Sequence, residues 1–310
     1  MTGDDRIQSQ QAPTPVLPDE LVRGTAWDGA LRVFAVRSTA LVAELQRRHR
    51  AYPTAAAALG RAATAAVMMG AMLKDGQRLT VRVRGDGPLG EIVVDANAEG
   101  HVRGYVDHPE VHLPSKTNGK LDVAAAVGKN GHLYVIKDLG LKEPYHGSVP
   151  LVSGELGEDF AYYFTVSEQI PSAVGLGVLI DRDGSVLQAG GFILQVMPGA
   201  DEKRVEELER AVMSLPHVTG LLGEGVGPEG LLRRLVGDDL RIHPAPAPVF
   251  ACRCSRERVE QTLLGLGPEE LQAMLEEDGR AEVHCHFCNE TYVFGDEELK
   301  SLLSRTDGTD

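Results

Sequence analysis

The sequence predicts an α+β chain: an N-terminal α/β domain with a mostly antiparallel sheet and packed helices, then a helical linker, then a small C-terminal domain. Three observations predict it. Between Leu21 and Val196, short runs of alternating apolar and polar residues are separated by Gly, Asp, Asn and Pro turns. One long stretch, Ala55 to Leu73 (AAAALGRAATAAVMMGAML), is apolar nearly all round, as a buried helix is. All four cysteines lie in the last sixty residues, as the pairs Cys252/Cys254 and Cys285/Cys288 with thirty residues between them.

Composition narrows the function classes. With 310 residues, 43% hydrophobic and 25% charged, the chain is long enough for a substantial core. No apolar run approaches the roughly twenty residues of a membrane span, so no membrane partner is expected. The balance of 31 basic against 45 acidic residues gives a formal charge of -14, which repels polyanions and excludes nucleic acid as a default partner. The first twenty residues are polar, acidic and proline-bearing, with no apolar signal core. Residues 1–18 are therefore expected to be a disordered extension, the compartment cytoplasmic, and the thiols reduced.

The elements follow in order. Leu21 to Trp27 and Leu31 to Arg37 read as a hairpin about Asp28-Gly29. Ser38 or Thr39 caps a helix to about Arg50, and Pro53 opens the apolar helix to about Lys74. Leu79 to Arg84, Glu91 to Asp95, Val102 to Val106 and Leu133 to Lys137 read as antiparallel strands. Gly85-Asp-Gly87-Pro-Leu-Gly90 has dinucleotide-loop spacing, but a strand follows it where such a loop needs a helix N-terminus, so it reads as a hairpin connection. Glu158 and Asp159 open a helix that Pro171 ends. Val174 to Ile180 and Gln188 to Val196 are two more strands, and the domain closes near Met197-Pro-Gly-Ala200.

From Asp201 the character changes. Asp201 to Leu215 is a charged amphipathic helix with Val205, Leu208, Val212 and Leu215 on one face. A glycine-rich break, the segment Leu231–Val236 and the proline run Pro244–Pro248 follow, so this stretch reads as a linker of conditional structure. The last segment carries two short helices between the cysteine pairs, a hairpin around Cys285-His-Phe-Cys288, and a final helix capped by Asp296.

Two close thiol pairs brought together by a folded-back chain suit a tetrahedral zinc site of four thiolates, with Zn–S about 2.3 Å. Cys252, Cys254, Cys285 and Cys288 are thus the expected ligands of one Zn2+ per chain. Arg253, Arg256, Arg258, His284 and His286 are placed to offset thiolate charge. A zinc-ribbon regulatory or nucleic-acid-binding protein is the alternative, but residues 251–310 hold six basic against fourteen acidic residues. A thiol oxidoreductase at Cys285/Cys288 needs its motif at a helix start in a βαβ unit, which is not the pattern here. The sequence has no Ser/His/Asp set or phosphate loop of an enzyme.

Cys252-Arg-Cys254-Ser-Arg-Glu-Arg258, Cys285-His-Phe-Cys288-Asn and Tyr292-Val-Phe294 resemble the C-terminal zinc domain of the heat shock protein 33 (33 kDa chaperonin) family. Gly87-Pro-Leu-Gly90, Val94-Asp-Ala-Asn97, Arg103-Gly-Tyr105, Glu158 to Phe164, Ser167 to Ala173 and Met197-Pro-Gly199 extend the resemblance from about Leu21 to Leu302. It implies an ATP-independent holdase, not an enzyme, that is zinc-bound and inactive when reduced and active when oxidised. It implies unfolded or oxidatively damaged client proteins as partners, and a homodimer when oxidised. Of three possible connectivities, it and adjacency in sequence favour the oxidised pairs Cys252 with Cys254 and Cys285 with Cys288. The expected divisions are 1–18 extension, 19–199 chaperone core, 200–250 redox-sensitive linker and 251–310 zinc domain.

Overall fold

The computed structural model describes residues 17–306. The extension expected over residues 1–18 lies outside the described residues, apart from Leu17 and Pro18.

Strands β1 (Glu20–Ala26) and β2 (Leu31–Arg37) pair antiparallel from Glu20 opposite Arg37 to Ala26 opposite Leu31. Trp27, expected in the strand, belongs instead to the turn: Trp27 and Asp28 take left-handed φ values of 56° and 53°, and Gly29 follows at 97°. Helix α1 (Thr39–His49) begins where expected but is capped differently. The Ser38 hydroxyl is buried and bonds Thr64 Oγ1 at 2.8 Å, while the amides of Ala40 and Leu41 donate to the Asp19 carboxylate at 2.9 and 2.7 Å. A buried hydroxyl must find a partner, and strand pairing brings Asp19 beside the helix start.

Helix α2 (Pro53–Gly70) is the axis of the domain. Every residue of it except Pro53 and Arg61 is buried, Met68 and Met69 included. Its small side chains let it lie against both sheets. A Cβ at Gly60 would fall 2.5 Å from Val42 Cγ1, and one at Gly70 would fall 2.6 Å from the Asn97 carbonyl oxygen. The helix ends earlier than expected, at Gly70, beyond which Met72 and Leu73 tighten into i to i+3 bonds.

Next come β3 (Arg78–Arg84), β4 (Glu91–Asn97), β5 (His101–Val106), the short α3 (Val123–Val127), β6 (His132–Asp138) and β7 (Tyr145–Pro150). The Gly85–Gly90 segment joins β3 to β4 and lies on the end of α3, where Gly87 N donates to Val127 O and Leu89 N to Ala126 O. It is a hairpin connection. Helix α4 (Gly157–Val166), β8 (Ser172–Ile180) and β9 (Val186–Val196) complete this part. The Asp159 carboxylate caps α4 by accepting from Leu156 N at 3.0 Å.

Helices α5 (Glu202–Ser214), α6 (Val218–Gly223) and α7 (Pro228–Val236) then cover the outer face of the β1–β2–β9 strands. Leu208, Leu221, Leu222, Leu231, Leu232 and Leu235 form a second core with Val22, Leu31, Val33, Ala35, Phe192 and Leu194. The glycine-rich stretch Gly220 to Gly230, read as a break, thus overlaps the end of α6 and the start of α7. Strand β10 (Arg241–His243) pairs antiparallel with β1, the prolines cross over, and β11 (Val249–Phe250) pairs parallel with β5. One sheet runs β10-β1-β2-β9-β8, the other β11-β5-β4-β3-β6-β7.

The C-terminal segment has its own core. Helices α8 (Arg256–Leu264) and α9 (Pro268–Glu277), the hairpin β12 (Arg280–His284) with β13 (Thr291–Gly295), and α10 (Asp296–Thr306) enclose Val259, Leu263, Leu271, Ala281, Phe294, Leu299 and Leu302. Asp296, expected as a cap, is the first residue of α10 and bonds Lys300. No helix among the described residues is long and apolar enough to cross a membrane.

Candidate metal centre

The site is built from two chain segments of different origin. Cys252 and Cys254 lie between β11 and α8, whereas Cys285 and Cys288 sit in the loop between β12 and β13. That loop is a tight knuckle: Cys285 N donates to Glu290 O at 2.9 Å, and Asn289 N donates to Cys285 O at 2.8 Å. Asn289 closes it with φ 60°, a conformation that asparagine tolerates.

All four sulfurs lie within 4.8 Å of one another. Across the pairs, Cys254 lies 3.2 Å from Cys288 and Cys252 3.8 Å from Cys285, sulfur to sulfur. A tetrahedron with metal–sulfur arms of about 2.3 Å has edges of about 3.8 Å. The donor set and its spacing therefore fit a metal ion held by four thiolates.

Electrostatics support the same conclusion. Burial raises the Cys252 thiol, but the Cys254 amide, the Cys254 thiol and Arg103 outweigh it and bring Cys252 down to about 7. Burial pushes Cys254 and Cys288 up. Four sulfurs this close cannot all ionise unless a cation lies between them.

The donors on sulfur differ from those expected. Tyr292 Oη donates to Cys254 Sγ at 3.2 Å, and Arg103 Nη1 to Cys252 Sγ at 3.8 Å. Arg256 instead bonds Val293 O and Glu298, Arg258 bonds the Arg253 carbonyl, and His284 bonds Thr291 Oγ1. The His286 ring packs near Tyr105 and His284.

The knuckle is also docked on the N-terminal sheet and α1. Phe287 lies under the Arg103 guanidinium, 3.9 Å from the ring centroid, and edge-on to Tyr105 at 5.3 Å. Asp95 fixes Arg103 through bonds of 2.8 and 2.9 Å. His49 Nε2 donates to Phe287 O at 3.2 Å, Arg48 Nη1 to Cys288 O at 3.5 Å, and Asn289 Nδ2 to Arg48 O at 2.8 Å. Sequence reasoning missed these contacts. The available signal was the outward alternation of Arg103 and Tyr105 in β5, two large side chains on a face that needed a cover.

This docking is expected to depend on pH. Burial holds the His49 imidazole below its ordinary value near 6.5, against the opposing carbonyls of Phe287 and Gly104. Undocked, the ring binds a proton more readily than docked. Docking is therefore fully favoured above about pH 6.5 and weakens as pH falls below it. Hydrogen exchange at residues 285–289, corrected for intrinsic rates, should lose several-fold protection between pH 7.5 and 5.5. The loss should be smaller in His49→Gln, and equal losses in both proteins would refute the assignment.

The family model for the Hsp33 protein matches residues 19–295, a span that contains all four cysteines. The chain belongs to the Hsp33 family. Among its Hsp33 relatives, the 33 kDa chaperonin of Geobacillus sp. (strain WCH70) is 53% identical over 287 residues, covering 92% of this chain and 97% of the relative. The 33 kDa chaperonin of Bacillus subtilis (strain 168) is 51% identical over 288 residues, covering 93% and 99%. The crystal structure of the heat shock protein 33 homolog of Thermotoga maritima superposes with a TM-score of 0.85 at 41% identity, covering 92% of this chain and 97% of that one. The Hsp33 assignment therefore spans the fold and the cysteine cluster together.

Proposed function

We propose that this chain is a redox-regulated, ATP-independent holdase of the cytoplasm, without enzymatic activity of its own. Cys252, Cys254, Cys285 and Cys288 hold one Zn2+ in the reduced, inactive form. The observation that carries this reading is the position of the four thiols, close enough for one metal ion and borne partly on a knuckle bonded to α1 and packed on β5. Bound zinc supplies the cross-link that the small C-terminal core lacks.

Oxidation acts on the thiols in pairs. One thiol of a pair takes an oxygen from peroxide and releases water, giving a sulfenic acid. Its neighbour attacks that sulfur and expels a second water, leaving a disulfide. Two thiols and one peroxide thus give one disulfide and two waters, and both pairs together give up four electrons. Sequence neighbours stay within reach of each other when the segment unfolds, so Cys252 joins Cys254 and Cys285 joins Cys288. With its four thiolates taken up in disulfides, the site releases Zn2+, the docked knuckle is lost, and the linker over residues 200–250 unfolds as it loses the anchor at its C-terminal end. Apolar surface then becomes available on the linker and on the core of residues 19–199, where unfolded or oxidatively damaged clients bind. The oxidised form is a homodimer, and the acidic zinc domain of residues 251–310 takes no nucleic acid.

The test is suppression of light scattering by a heat-unfolded client, without nucleotide. Peroxide-treated, zinc-depleted protein is expected to suppress it at near-stoichiometric amounts and the reduced, zinc-loaded protein hardly at all. Equal suppression by the two forms rejects the switch.

A further inference from the structure

The last residues before the first cysteine occupy a place that another strand can fill. Val249 N donates to Gly100 O, and Ala251 N donates to Val102 O, both at 2.9 Å, so residues 249–251 form the outer rung of the second sheet, parallel to β5. Phe250 packs against the main core with the Arg48 guanidinium 4.2 Å from its ring centroid, while Val249 is 50% exposed. Further along β5, the Gly104 carbonyl faces His49, and Phe287 sits under Arg103. On this strand edge the carbonyls of Gly100 and Val102 are therefore met by residues that end next to the C-terminal segment, while Phe287, which moves with that segment, covers the Arg103 side chain. Two aromatic rings under two guanidinium groups hold this cover in place.

We propose that the outer edge of β5 is a strand-accepting site. Residues 249–251 fill it in the reduced chain, and an extended, aromatic-bearing segment of an unfolded polypeptide fills it after they leave. The proposal rests on the switch described above and names the mode of client binding. A two-residue strand one residue before Cys252 is held by two main-chain hydrogen bonds and the Phe250 seat, and it is the part of the sheet on which the unfolded following segment pulls with its chain entropy. Its departure leaves the carbonyls of Gly100 and Val102 without donors on an exposed sheet edge, which is a template for main-chain pairing. It also empties the seat beneath Arg48. The occupant's chemistry is read from the present occupant: two amide donors two residues apart, with Phe, Tyr or Trp between them. Arg48 and Arg103 favour aromatic faces at both seats.

The experiment uses fluorescein-labelled peptides and the full-length chain. The probe spans residues 246–253 with Cys252→Ser. Its two controls carry Val249→Pro, which removes the amide that meets Gly100, or Phe250→Ala. The oxidised, zinc-free chain is expected to bind the probe at least about tenfold more tightly than either control, and a heat-unfolded client should displace it. The reduced chain, whose edge is filled, should bind none of them. If the oxidised chain holds clients yet fails to bind the probe, or binds all three peptides alike, the strand-accepting site is wrong and the switch stands. If the oxidised chain holds no clients, the switch fails. The reduced Phe250→Ala chain then decides the edge separately, since a weakened occupant must admit the probe if the site exists, and no binding overturns it. A probe that splits an oxidised dimer without competing with client marks a second copy as the occupant and overturns the client assignment.

Discussion

Stripping zinc from the reduced chain, or replacing Cys288 with serine, is expected to unfold residues 252–306 while both large sheets persist. The C-terminal core consists of Val259, Leu263, Leu271, Ala281, Phe294, Leu299 and Leu302 with a few half-buried neighbours. A core in so short a segment supplies about 3–5 kcal/mol at most. Structural zinc on four thiolates supplies about 10–16 kcal/mol of apparent binding energy in small peptides. The metal term therefore decides whether the segment is folded. Cys288 is the buried member of the four, and a serine there removes a thiolate without offering an equivalent ligand. Brief proteolysis followed by mass analysis should place new cuts within 252–306 and in α5 to α7, with bound zinc falling from one per chain to nearly none. Undiminished protection of α8 to α10 in metal-free protein would contradict the assignment.

The second large effect is expected at Leu232. Its side chain is 0% exposed on α7, within the core that joins the linker helices to the outer face of β1, β2 and β9. Leu232→Glu would bury a carboxylate with no cationic partner among the residues of that core, at a cost of several kcal/mol. Helix α7 has nine residues, too few to be stable alone, so the helix leaves the sheet in preference to burying the charge. The main core around α2 does not include this residue and is left intact. The reduced, zinc-loaded variant should then suppress client aggregation without any oxidant. Met213→Glu, at a position 88% exposed on α5, should behave as the wild type. An inactive Leu232→Glu protein that retains its zinc would show that linker docking does not hold the chaperone off.

The sequence made the large periodic elements legible. The β1–β2 hairpin, α2, α4, α5 and the cysteine-bearing hairpin depend on local patterns and begin near their expected starts, although α2 and α4 end before their expected ends. What escaped reading depends on distant partners. Strands β10 and β11 have three and two residues and flank a proline run, so neither has a period to detect; β1 and β5 define them. Helix α6 lies in a glycine-rich stretch, and its structure comes from Val218, Leu221 and Leu222 finding the sheet. The four sulfurs were evident because metal ligation demands particular residue types at close spacing. Their environment was not, because Arg103 and Tyr105 come from a strand about 150 residues earlier, and Arg256 and Arg258, near in sequence, bond carbonyls and a carboxylate instead.

The enclosure of α2 has a consequence for how the molecule would withstand peroxide. Peroxide attacks thioethers as well as thiols, and a sulfoxide in a packed core disrupts it. Met68 and Met69, at the centre of the molecule, are 0% and 1% exposed, while three of the four cysteine thiols are only half-buried. Met213, on α5, is 88% exposed, so a sulfoxide there would stand largely in solvent. Peroxide would thus meet the cysteine sulfurs before the α2 methionines, and the α2 scaffold would outlast oxidation of the thiols.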